Sequence, residues 1–151
     1  MKLAEALLLR SEYQKRIENL QSRILANVKT QENDKPHENP QGLISEAFEL
    51  SEQLCTLIQK INACNNRATL LTGKTLSEAI VERDMLMKKR NILAAIATKA
   101  LEKDYRLTHS EVKMTVTISI EETQKQIDAL SREFRELDTQ IQGINWTTDL
   151  E

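Results

Sequence analysis

Residues 68–75 read Ala-Thr-Leu-Leu-Thr-Gly-Lys-Thr, a match to the most permissive form of the phosphate-binding loop, with alanine in place of the first glycine. A working loop of that kind cradles phosphates in backbone amides. It requires glycine freedom, a buried strand before it and an acidic residue closing a second strand to hold magnesium. Here an amphipathic helical pattern precedes the loop instead, so the stretch reads as a helix-capping loop. His37 and His109 are the two histidines, and neither has a second histidine or cysteine at ligand spacing, so no metal centre is expected. Glu121 with Glu122, and Glu133 with Glu136, fall on polar helix faces, the usual place of solvated charge networks rather than of general acids and bases. Cys55 and Cys64 lack a basic or histidine neighbour in sequence that would activate a thiol, and both are expected to pack on the apolar side of one helix. Nine residues apart, they lie about 13 Å from each other along the axis, too far to bond. Reduced thiols point to a cytoplasmic protein. Arg83 with Lys88-Lys89-Arg90 is the densest basic patch, of the sort that grips RNA from a helical arm. Glu78, Glu82 and Asp84 dilute it, and no aromatic platform is interleaved, so nucleic acid is not the expected partner. No catalytic, cofactor-binding or metal-binding residue is assigned, and the chain is read as a non-enzyme.

The elements around these residues are helical. The 151 residues suit a single domain, and two Phe, two Tyr and one Trp beside abundant Leu, Ile, Glu, Lys and Gln give the composition of long helices and coiled coils. Basic and acidic residues number 21 and 23, so no global field draws the chain to nucleic acid or anionic lipid. Ile92 to Ala97 is the longest clean apolar stretch, far short of the roughly 20 residues of a membrane helix, and no signal peptide is read at the start. A soluble resting protein, without cofactor, is expected.

Leu3, Leu7, Tyr13, Ile17, Leu20, Ile24 and Val28 predict one helix over about residues 2–30. Residues 31–42 are polar, hold both prolines and read as a flexible linker, with Asn39-Pro40 as a cap and first-turn pair. Leu43, Ala47, Leu50, Leu54, Leu57, Ile61, Cys64 and Ala68 alternate in steps of four and three, a coiled-coil seam that Ile44, Phe48 and Ile58 widen toward a second neighbour. Thr75-x-x-Glu78 has the form of a reciprocal cap for a third helix to about Lys103, in which Arg83 and Arg90 interrupt the stripe and are expected to pair with acids across an interface.

Val112, Met114, Val116, Ile118 and Ile120 then alternate with polar residues, the period of a half-buried strand, while Thr108-x-x-Glu111 has the form of a helix cap and leaves a helix as the alternative. Its partner would be a symmetry-related copy or residues 105–108. Ser119 to Glu122 is a further cap, opening a last helix whose Ile127, Leu130, Phe134, Leu137, Ile141 and Ile144 form the clearest heptad run, ending near residues 143–145. Trp146 follows as a large aromatic to bury.

Several stretches together resemble a family of small bacterial proteins labelled septicolysin. They are residues 1–7 (Met-Lys-Leu-Ala-Glu-Ala-Leu), Ile61-Asn62, residues 75–79 (Thr-Leu-Ser-Glu-Ala), Arg83-Asp84, residues 124–130, residues 135–139, and residues 145–150 (Asn-Trp-Thr-Thr-Asp-Leu). The similarity covers nearly the whole chain, and the terminal Asn-Trp-Thr-Thr-Asp-Leu is its most specific part. The label implies membrane perforation, for which residues 112–120 approach the roughly 9 to 11 residues of a membrane β-strand.

The fold class expected is all-α, a long-helix antiparallel coiled coil or four-helix bundle with one short β or extended segment at about 112–119, the first and last helices being especially long. Long helices in so short a chain leave apolar stripes uncovered, so the function expected is structural: a homo-oligomer, or a scaffold for another protein. The assembly residues expected are Val112, Met114, Val116, Ile118, Ile127, Leu130, Phe134, Leu137, Ile141 and Trp146. A cytolysin and an RNA-binding arm are the alternatives.

Overall fold

The computed structural model describes residues 1–103 and 113–151; Val112, His109 and residues 105–108 lie outside them. Four helices follow one another, α1 (Leu3–Asn27), α2 (Pro40–Arg67), α3 (Leu76–Leu101) and α4 (Ile120–Thr147), and among the described residues no sheet joins them. The chain is all-α, its helices packed as a bundle. At 25, 28, 26 and 28 residues the helices are nearly equal, so the first is not longer than its neighbours. Their packing divides into two compact units, Met1–Leu76 with Gln142–Glu151, and Ser77–Ile141.

In the first unit α1 and α2 run antiparallel. Arg16 pairs with Glu46 and Arg23 with Glu38, so an advance along one helix is a retreat along the other. Between them Leu20, Leu43, Ala47 and Leu50 are buried, flanked by Tyr13, Ile17 and Ile24. Further along α2 the seam continues through buried Leu57, Ile61 and Cys64. Each fully buried Leu or Ile contributes roughly 1.5–3 kcal/mol by leaving water. Phe48, expected to widen this seam, is instead 70% exposed.

Helix α1 stops at Asn27, short of the expected Thr30, because Asn27 is committed to the turn. Its Nδ2 donates to the Arg23 carbonyl (2.8 Å) and its Oδ1 accepts from the Glu38 amide (3.0 Å). Asn39 caps α2, its Oδ1 accepting from the Gln41 amide at 3.1 Å, with Pro40 in the first turn, where its missing N–H costs nothing.

In the second unit α3 and α4 are also antiparallel. Arg83 reaches Asp138 at 2.9 Å, and Arg90 donates to Ser131 Oγ at 3.0 Å; seven residues forward on α3 correspond to seven back on α4. Ile127 and Ile141 are buried, and Leu130, Phe134 and Leu137 are half-buried on the same side. Ser119 caps α4, its Oγ accepting from the Glu122 amide at 3.2 Å. The helix passes Gly143 without a break and ends at Thr147, later than expected, because Asn145 is buried and the Thr148 amide still donates to the Ile144 carbonyl.

Residues 113–119 form no regular element, with a bend at Ile118, and pair with no strand among the described residues, and Met114, Val116 and Ile118 are exposed, which corrects the half-buried strand expected there. Alternating β-branched residues favour extended backbone locally, but a strand also requires a partner edge.

Candidate functional site

Two features stand out from the ordinary packing of helices. The first is a clasp between the chain ends. The Leu3 amide donates to the Thr148 carbonyl (2.9 Å) and the Leu150 amide to the Met1 carbonyl (2.8 Å), an antiparallel bridge centred on Lys2 and Asp149. Lys2 Nζ lies 2.9 Å from Asp149 Oδ1 and donates to the Thr147 carbonyl at 3.2 Å. Hydrogen bonding from Lys2, then its charge, holds the Asp149 carboxyl below its ordinary range. The Lys2 amide donates to Glu5 (2.7 Å), and Arg67 at the end of α2 pairs with Glu151 at 2.8 Å. In the same unit Leu3, Ala6, Ile61, Cys64, Leu70 and Leu76 are almost wholly removed from solvent, and the Cys64 thiol lies 3.9 Å from the Asp149 carbonyl. The clasp brings residues 1–7 and 145–150, two of the stretches noted in the sequence, into direct backbone contact.

The loop after α2 belongs to this unit. The Leu70 amide donates to the Lys74 carbonyl, the Gly73 amide to Leu70 and the Leu76 amide to Ala68, at 2.8, 2.9 and 2.8 Å. Those amides are spent on the loop itself rather than gathered around an anion. Gly73 sits at φ +85°, the left-handed region that side chains disfavour, so the glycine serves the turn.

The second feature is the outer side of α3. While Leu86, Arg90, Leu93 and Ala97 are half-buried on one side, Val81, Met85, Ile92 and Ile96 stand 60, 46, 54 and 39% exposed on the other. At 100° per residue those four fall within a window of about 60°, a single apolar stripe. Helix α4 offers no counterpart: its outward side carries Glu121, Lys125, Asp128, Arg132 and Glu136, all exposed.

The expected assembly residues separate accordingly. Ile127, Leu130, Phe134, Leu137 and Ile141 occupy the side of α4 on which Ser131 and Asp138 meet α3, so this heptad run serves packing inside the chain. Met114, Val116 and Ile118 are exposed on the segment before α4, and Val112 is outside the described residues. Trp146 is 57% exposed rather than buried, and Cys55 is exposed while Cys64 is buried, its thiol 3.9 Å from the Asp149 carbonyl. The α3 stripe was missed because Lys88-Lys89 interrupts it and apolar residues surround the helix; the spacing of 81, 85, 92 and 96 was the available signal. Among the described residues no group of three or more potential ligands could hold a metal ion, and no helix is long and apolar enough to cross a membrane.

A family model matches residues 10–150. The chain belongs to DUF6847, a family of unknown function. A functionally unknown conserved protein from Corynebacterium diphtheriae, known from its crystal structure, is similar to this DUF6847 chain at 37% identity and a TM-score of 0.93, over 100% of this chain and 99% of that one. No curated protein matches. Neither the DUF6847 family nor the structural relative supports the septicolysin label.

Proposed function

We propose that this protein is a non-catalytic interaction module that self-assembles through the outer side of α3. The observation that carries the reading is the two-sided character of that helix: one apolar side is met by α4, and a second, Val81, Met85, Ile92 and Ile96, is left to water. An apolar stripe on a helix face is a frequent mark of a protein–protein contact. Cys55 and Cys64, on one helix and too far apart to pair, support a reducing, cytoplasmic setting. The test is solution mass by light scattering after size exclusion, on the wild type and on a Val81→Asp/Ile92→Asp variant. The reading expects a discrete oligomer that the variant reduces to monomer with helicity unchanged. A wild type that is monomeric throughout the micromolar range, or a variant of undiminished mass, contradicts it.

A further inference from the structure

The α3 stripe has a symmetry that narrows what can cover it. Read with its ends, it runs Glu78, Val81, Met85, Ile92, Ile96, Lys99, all exposed. These positions pair about the midpoint of Lys88 and Lys89: 78 with 99, 81 with 96, and 85 with 92, each pair summing to 177. We infer that the stripe is covered by α3 of a second copy, laid antiparallel about a two-fold axis passing between Lys88 and Lys89. The inference rests on the assembly reading above and adds its geometry.

A two-fold interface must be self-complementary, each residue meeting a different one whose own partner is the first. In this register Val81 lies level with the partner's Ile96 and Met85 with the partner's Ile92, so apolar meets apolar over the roughly 22 Å from 81 to 96 at 1.5 Å per residue. Charge fixes the direction. Glu78 lies in the first turn of α3 and Lys99 in its last, so antiparallel copies bring acid against base at both ends of the stripe, whereas parallel copies would oppose like charges. Lys99 already holds Glu102 at 2.8 Å, but both side chains are largely in water, where such a pair contributes little and yields to a better one. Lys88 and Lys89 project from opposite edges of the stripe at its centre. There their methylene stems can lie along the apolar surface while the ammonium groups stay hydrated. Their mutual repulsion opposes closure at the centre of this register.

Single cysteines in a Cys55→Ser background test the geometry in the full-length chain, Cys64 being buried. A short bifunctional maleimide is the probe, and far-UV circular dichroism checks each variant's helicity. Lys88→Cys, next to the axis, is expected to link to its own copy and give a covalent dimer. Glu78→Cys alone and Lys99→Cys alone are expected to give little, while an equimolar mixture of the two gives a dimer band at least several-fold stronger. Self-linking of Glu78→Cys with no gain on mixing overturns the antiparallel register. If light scattering shows a dimer that Val81→Asp/Ile92→Asp dissolves but Lys88→Cys does not link, α3 mediates assembly in another register and this inference fails alone. A monomer at every concentration overturns this inference and the assembly reading together.

Discussion

The α1–α2 unit and the α3–α4 unit are built from helices of similar length in antiparallel pairs, yet they finish their surfaces differently. The first adds a third participant: the chain's last residues bond to its first ones, and Leu3, Ala6, Ile61, Leu70 and Leu76 are buried in this unit. Among the described residues the second has no such addition. Its contact side is held partly by Arg83, Arg90, Ser131 and Asp138, much of its apolar seam is half-buried, and α3 keeps a second stripe in water. A helix pair alone encloses little volume, so an element on one flank separates a closed core from an open one. On the assembly proposed above, the apolar side that α3 keeps in water is covered by another copy, whereas the apolar side chains that the first unit exposes, Phe48 and Trp146 among them, form no part of that contact.

The contrast is sharpest under truncation. Ile61→Ala, at a site 1% exposed, is expected to destabilise by about 2–5 kcal/mol in urea unfolding, whereas Leu130→Ala in the half-buried seam costs about 1 kcal/mol. Equal losses would erase the distinction between the units. The loop of the first unit offers a second lever. Gly73→Ala has open space around its new methyl but must hold φ near +85°, so a loss of about 1–2 kcal/mol is expected from backbone conformation alone, read by the same unfolding curve.

In the second unit Asp138→Asn weakens the bond to Arg83, which keeps Asp84 at 2.9 Å. About 0.5–1 kcal/mol is expected, and a double-mutant cycle with Arg83→Met isolates the pair. The smallest effect belongs to the clasp. Asp149 titrates below its ordinary value because Lys2 stabilises the carboxylate, so its contribution is present at neutral pH and fades as pH falls through the folded-state value. Amide protection of Leu3 and Leu150 should therefore decline on acidification in the wild type and lose that component in Asp149→Asn. An identical decline in both would remove Lys2–Asp149 from the account.

Much of the bundle was legible because helical burial leaves a three-and-four spacing. The α2 seam from Leu43 to Cys64 and the α4 run from Ile127 to Ile141 were read directly, as were the caps at Asn39 and Ser119. Arg83 was expected to meet an acid and does. Arg90, expected to do the same, meets Ser131, since sequence spacing marks which side a residue occupies but not what faces it. The same limit applies to Phe48, Cys55 and Trp146, whose apolar or aromatic character points to burial while the fold leaves them exposed. The clasp was invisible, because its bonds are backbone bonds between residues nearly the full chain apart. Residues 113–119 show the converse: a period of two is a local preference, and no sheet edge among the described residues meets it.

The most direct test of the contrast is amide hydrogen exchange of the wild type measured at increasing protein concentration. Protection that rises along residues 78–99 of α3, while α1 and α2 stay constant, is the predicted result. Exchange independent of concentration along α3, or a rise confined to α1 and α2, would contradict the claim that another copy covers the apolar side that α3 keeps in water.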